Sequence, residues 1–172
     1  MVTFQKKNLL YKFLSQIPTL LLLISVLNEF DFNYLELKYF SFNFPFILIF
    51  YWSLKKSEVL GYGYIFIAGL INDVVVGFPL GISSLCYLLI CGFASYLRNI
   101  TLSPNLLKDW FFFLFTILVT NSLMYSLLVW IFSFELDYNK LLSNLLFTFL
   151  IYILFAYLFN IYHKIVFGRI ND

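Results

Sequence analysis

Charge is scarce in this chain: 12% of its 172 residues, where a soluble domain carries about a quarter. That shortage excludes a water-soluble globule. A chain that is 62% hydrophobic, with a mean hydropathy of +0.90, has too little polar surface to cover its apolar side chains. Cysteine is limited to Cys86 and Cys91, which fall on different sides of one expected helix and suit neither a disulfide nor a metal pair. The one histidine, His163, stands beside Lys164 where an apolar run ends, a boundary position rather than that of a catalytic base. No carboxylate pair has metal-binding spacing within one helix, and no membrane serine or threonine has a histidine partner. Long polar connectors are missing too, which leaves no room for a soluble catalytic domain or a nucleotide-binding loop. An enzyme is not expected, and nothing in the pattern calls for a cofactor, a metal or a nucleic acid.

What the chain has is long apolar runs separated by clustered charge. Lys6, Lys7 and Lys12 precede the first run, and Glu29, Asp31, Glu36 and Lys38 follow it. Lys55, Lys56 and Glu58, then Arg98, Lys108 and Asp109, then Glu135, Asp137 and Lys140 divide the remainder. The runs are residues 13–27, 39–54, 59–76, 80–97, 110–134 and 141–162, each long enough to cross a hydrocarbon core of ~30 Å with slight thinning or tilt. The expected fold is an all-α membrane protein, a single compact bundle of six transmembrane helices. Asn28-Glu29-Phe30 after the first run lacks a small-x-small cleavage pattern, so that run reads as an uncleaved anchor.

Orientation follows from the basic residues. With the N-terminus in the cytoplasm, Lys6, Lys7, Lys12, Lys55, Lys56, Arg98, Lys108, Lys164 and Arg169 lie inside, and only Lys38 and Lys140 lie outside. Both termini are therefore expected in the cytoplasm.

Residues 51–87 carry the most information. Asp73 ends an apolar run and is followed by Gly77, Pro79 and Gly81. An acid in or beside a bilayer needs a reason. Gly77 suits the positive φ that ends a helix, Pro79 the first turn of the next one, and Gly81 close packing of that helix start. The third and fourth spans thus form a tight hairpin with its tip outside, whose fourth-span amides lie within reach of the Asp73 carboxylate. Capping, pairing with a partner and facing water stay open as roles for this acid. Tyr62, Phe66, Gly69 and Asp73 recur on one helical face, with Gly69 permitting close helix approach and Asn72 hydrogen bonding. Ser84, Tyr87, Cys91 and Ser95, and likewise Asn144, Thr148, Tyr152 and Ala156, form further stripes expected to face the bundle interior.

The order Pro45, Tyr51-Trp52, Gly69-Leu70-Ile71-Asn72-Asp73, Gly77-Phe78-Pro79-Leu80-Gly81 and Ser84-Leu85-x-Tyr87-Leu88-Leu89 resembles the MreD family of bacterial rod shape-determining membrane proteins. The motifs cover residues 45–89, and the rest of the chain agrees in length and hydropathy. The resemblance implies a non-enzymatic inner-membrane component that organises lateral peptidoglycan synthesis, and hence cell shape. Its implied partners are an MreC-like protein, RodA, penicillin-binding protein 2 and membrane lipid. The implied fold is similar to the substrate-binding subunits of energy-coupling-factor transporters. That likeness supplies an alternative, a small-molecule- or lipid-binding transporter subunit with a pocket opening outward near the Asp73 turn. Trp52, Gly69, Asp73, Gly77, Pro79, Gly81 and Tyr87 are the candidate structural or partner-binding residues. The phenylalanine-rich fifth span (Phe111, Phe112, Phe113, Phe115) offers a lateral face for a partner helix.

Overall fold

A computed structural model describes residues 2–27, 41–56, 58–101, 105–134 and 137–167. The acids Glu29, Asp31, Glu36, Glu135 and Asp172, and the bases Lys38 and Arg169, lie outside these residues. So does the Asn28–Phe30 stretch. Six helices follow one another: α1 (Val2–Leu27), α2 (Phe44–Lys56), α3 (Tyr62–Val76), α4 (Ile82–Ile100), α5 (Leu106–Phe132) and α6 (Tyr138–Phe167). Of these, α5 and α6 are long and apolar enough to cross a membrane.

Helix boundaries differ from the apolar runs because capping groups set them. Asn105 accepts from the Leu107 amide, so α5 begins a turn before the run does. Asp137, read from the sequence as an outer-loop acid, accepts from the Asn139 and Lys140 amides and opens α6. Positive φ at Gly81 delays α4 to Ile82, two residues past the expected start.

The helices form a ring around a central one. α1 packs on α3, α3 on α4, α4 on α5, α5 on α6, and α6 on α1, while α2 contacts α1, α4 and α6 from the middle. Every α2 residue from Phe44 to Leu54 is buried, because FPFILIFYWSL is apolar on all sides and leaves no face to prefer solvent or lipid. At 13 residues α2 is also the shortest helix, roughly 20 Å at 1.5 Å per residue.

Aromatic rings fill the space between α2, α5 and α6. Phe113 stacks on Tyr152 at 4.3 Å, and Phe50 meets Phe113 at 5.0 Å and Tyr152 at 5.8 Å. Trp110 stacks on Phe149 at 4.5 Å and donates its indole N–H to the Phe149 carbonyl at 2.9 Å. Burying large aromatics with their polar atoms engaged gives both area and specificity. Of the expected interior stripes on α4 and α6, Ser84, Tyr87, Cys91, Thr148, Tyr152 and Ala156 are buried, and Ser95 and Asn144 are half-buried. On α3 the inward face is instead Ile65, Ala68, Gly69 and Asp73, and Tyr62 (58%) and Phe66 (44%) are exposed. Gly69 and Asp73 of the expected stripe do face α4, and Ile65 and Ala68 take the place of Tyr62 and Phe66 on the buried face.

Two close approaches fix neighbouring helices. A Cβ on Gly69 would fall 2.5 Å from the Ser84 backbone nitrogen and closer still to its Cα, so only glycine fits there. Ser84 reinforces the contact by donating to the Phe66 carbonyl at 3.0 Å. Across the ring, Pro18 removes the amide that would have bonded the Leu14 carbonyl within α1. The Tyr162 hydroxyl of α6 donates to that carbonyl at 2.5 Å.

Two predictions follow from these contacts. Gly69→Val should force α3 from α4 and strongly lower the thermal midpoint in detergent, while Gly63→Val, with nothing near its Cβ, should not. Tyr162→Phe should cost about 0.5–1.5 kcal/mol. In a Pro18→Ala background that cost should shrink, because the restored amide serves Leu14; an equal cost in both backgrounds in a double-mutant cycle contradicts this role.

Candidate functional site

The α3–α4 turn is closed by both ends of one residue. The main-chain carbonyl of Asp73 accepts from the amides of Gly77 and Phe78, the latter at 2.9 Å, with Gly77 at φ 78° in the left-handed conformation. This is a Schellman ending, and glycine takes it without steric penalty. The Asp73 carboxylate then crosses to the next helix. Its Oδ2 accepts from the Gly81 amide at 2.7 Å and its Oδ1 from the Ser83 amide at 2.9 Å. Gly81, the residue before α4, has no side chain to cap with, and the carboxylate from α3 does that task. A negative group at a helix N-terminus also meets the favourable end of the helix dipole.

Asp73 is fully buried, so this arrangement determines whether the charge is tolerable. Asn72 adds a parallel link, its side chain donating to Ser83 Oγ at 2.9 Å. Two expectations about the turn are corrected. Pro79 does not occupy the first turn of α4; it precedes Gly81, and its carbonyl accepts from Ile82 at 3.4 Å. Gly81 is not needed for close packing, since nothing lies within 4 Å of where its Cβ would be; its φ of 102° is what requires glycine.

Trp52 and Tyr87 lie apart from this turn, both inside the bundle. Trp52 is 1% exposed and its ring packs against Phe159 and Tyr162 of α6. Tyr87, equally buried, meets Phe46 of α2 edge to face at 5.8 Å. Neither reaches a surface where another protein sits. The fifth-span phenylalanines divide as well: Phe113 is in the core, Phe112 is partly buried, and Phe111 and Phe115 are exposed.

Beside the turn lies a cavity of about 560 Å³, within the ~300–1,000 Å³ common for small-molecule sites. Ser25, Asn72, Asn121, Tyr125, Phe134 and Asn144 are on its wall. Asn121 was not singled out in the sequence, although an asparagine in the middle of an uncharged run was a visible signal. A second, mostly apolar groove of about 840 Å³ runs along the side of α3 and α4, past Phe66, Leu85, Leu89, Gly92, Phe93 and Tyr96. At the opposite end of the bundle Lys55 and Asp109 form an ion pair of 3.8 Å between α2 and α5. The sequence had placed these two charges only as boundary markers.

The described residues form an all-helical chain in which α5 and α6 are long and apolar enough to cross a membrane, packed around a central helix buried from Phe44 to Leu54. A family model described as "MreD: rod shape-determining protein MreD" matches residues 7–166, nearly the whole chain. The chain belongs to the MreD family, and that membership implies a role in determining rod shape. No curated protein and no solved structure matches it.

Removing the Asp73 carboxylate should orphan two buried amides, each costing about 1–3 kcal/mol. Asp73→Leu is therefore expected to destabilise more than Asp73→Asn, which keeps one acceptor. Hydrogen exchange should localise the loss to residues 81–85. Uniform loss across all six helices contradicts a capping role.

Proposed function

We propose that the protein is a non-enzymatic, multi-pass component of the bacterial inner membrane that organises lateral peptidoglycan synthesis with an MreC-like partner. The observation that carries this reading is the family match over residues 7–166. In this reading all six helices are membrane-embedded and both ends of the chain are cytoplasmic, supported by the concentration of lysine and arginine on that side. The short α2 fits such an arrangement because it is sheathed by protein, where a helix need not match the hydrocarbon thickness. RodA and penicillin-binding protein 2 are the further partners implied for the assembly.

The partner's membrane helix docks, we infer, in the apolar groove of α3 and α4. The groove is open to the side, and Gly92 forms a notch there, with nothing within 4 Å of its Cβ position. Without water, helices associate through close packing, and small residues permit it. The α3–α4 groove replaces the fifth-span face as the proposed docking surface, since the fifth-span phenylalanines are split between core and surface.

A second reading is that of a small-molecule- or lipid-binding membrane subunit, like those of energy-coupling-factor transporters. The polar cavity next to Asn72 favours it.

Gly92→Leu should fill the groove without disturbing the fold. It is expected to reduce co-purification with the MreC-like partner by at least fivefold and to round the cells, with an unchanged melting temperature. Normal complex yield and normal rods with this variant overturn the groove as the docking surface.

A further inference from the structure

The cavity beside the α3–α4 turn is more polar than the helices that enclose it. Asn72, Asn121 and Asn144 reach it from α3, α5 and α6, with Ser25, Ser41 and Tyr125 alongside. Two of the carboxamides are partly engaged: Asn72 donates to Ser83 at 2.9 Å and Asn144 to Ser41 at 3.0 Å. Both of these bonds use the amide nitrogen, and the Asn144 Oδ1 also accepts from the Thr148 hydroxyl at 3.4 Å. Asn121 has no hydrogen-bond partner among the described residues, although it stands halfway along apolar α5. A carboxamide at that depth is expensive unless the cavity supplies donors and acceptors.

The remaining lining specifies what those groups belong to. Among the described residues, charge at the cavity comes from Asp137 and Lys140 together, opposite in sign and both at the start of α6, so the two balance. A phosphate needs an excess of cationic donors and a quaternary amine an anionic or fully aromatic cage, and the described residues supply neither. Phe78 and Phe134, packed edge to face at 5.9 Å, give the wall an apolar patch opposite the amides. Carboxamides that donate and accept, set against aromatic surface, match a ligand with adjacent hydroxyls or amides on one edge and an apolar ring face.

We propose that this cavity binds an uncharged saccharide from the outer side of the membrane, with Asn121 as the principal hydrogen-bonding residue. The proposal deepens the ligand-binding reading and depends on its outward orientation.

The test uses the full chain in spheroplasts, with Cys86→Ala and Cys91→Ala and a reporter Val76→Cys on the cavity wall. The reporter is labelled from outside with a membrane-impermeant sulfonated methanethiosulfonate. N-acetylglucosamine is the probe; glucose 6-phosphate and choline are the charged controls. The sugar should slow labelling at least fivefold and saturably, and the controls should not. Asn121→Leu should weaken that protection at least tenfold at an unchanged labelling rate without sugar, and Asn121→Gln should retain part of it. Outside labelling with no protection by the sugar, equal protection by either control, or full protection in Asn121→Leu overturns the proposed ligand. Labelling only after the membrane is permeabilised overturns the orientation instead, so the two failures are distinct.

Discussion

In hydrocarbon every backbone amide and carbonyl must find a partner within the protein, and a helical hairpin is the place where that is hardest. One end of α3 leaves carbonyls exposed, and the start of α4 leaves amides. Asp73 meets both demands, its carbonyl accepting from the end of α3 and its carboxylate from the first turn of α4. Because that hairpin is in register, Gly69 can lie against Ser84 at backbone contact, and the two helices join the ring around α2. The buried charge is thus a structural element whose cost is offset by the amides it serves.

The same constraint recurs elsewhere in the bundle. Pro18 interrupts α1, and a hydroxyl from α6 replaces the missing amide. Thr148 of α6 accepts from the Asn43 amide just before α2, and Asn144 reaches Ser41 in the same segment. These bonds tie the segment before α2 to α6. Asn121, in the middle of α5, faces the cavity instead.

Two surfaces consequently have different chemistry. The side of α3 and α4 is mostly apolar and notched at Gly92, the surface proposed for a partner helix. The cavity by the turn carries several uncharged polar side chains, the surface proposed for a small ligand. The α3–α4 hairpin borders both.

Much of this was legible in the order of residues. Low charge and long unbroken apolar runs point to a helical membrane protein, because a helix pairs its backbone groups within one segment and a barrel strand would instead alternate apolar and polar residues. The aspartate followed by two glycines and a proline marked the turn, since positive φ and helix capping are local properties. The family resemblance rested on the same stretch. What could not be read was which helix occupies the centre: α3, α5 and α6 are as apolar as α2 by composition, and burial on all sides depends on how the others surround it. Nor could the sequence show that the reason for Gly81 is its backbone angle and for Gly69 its neighbour, a distinction made only when Ser84 comes within contact. A pocket near the Asp73 turn was expected only as the alternative that the family resemblance supplied, and its lining was hidden, because its asparagines come from helices distant along the chain. Residue chemistry alone determined the solvent, the helices and the turn; long-range packing decided the centre, the groove and the cavity, because those depend on contacts between segments that no local pattern records.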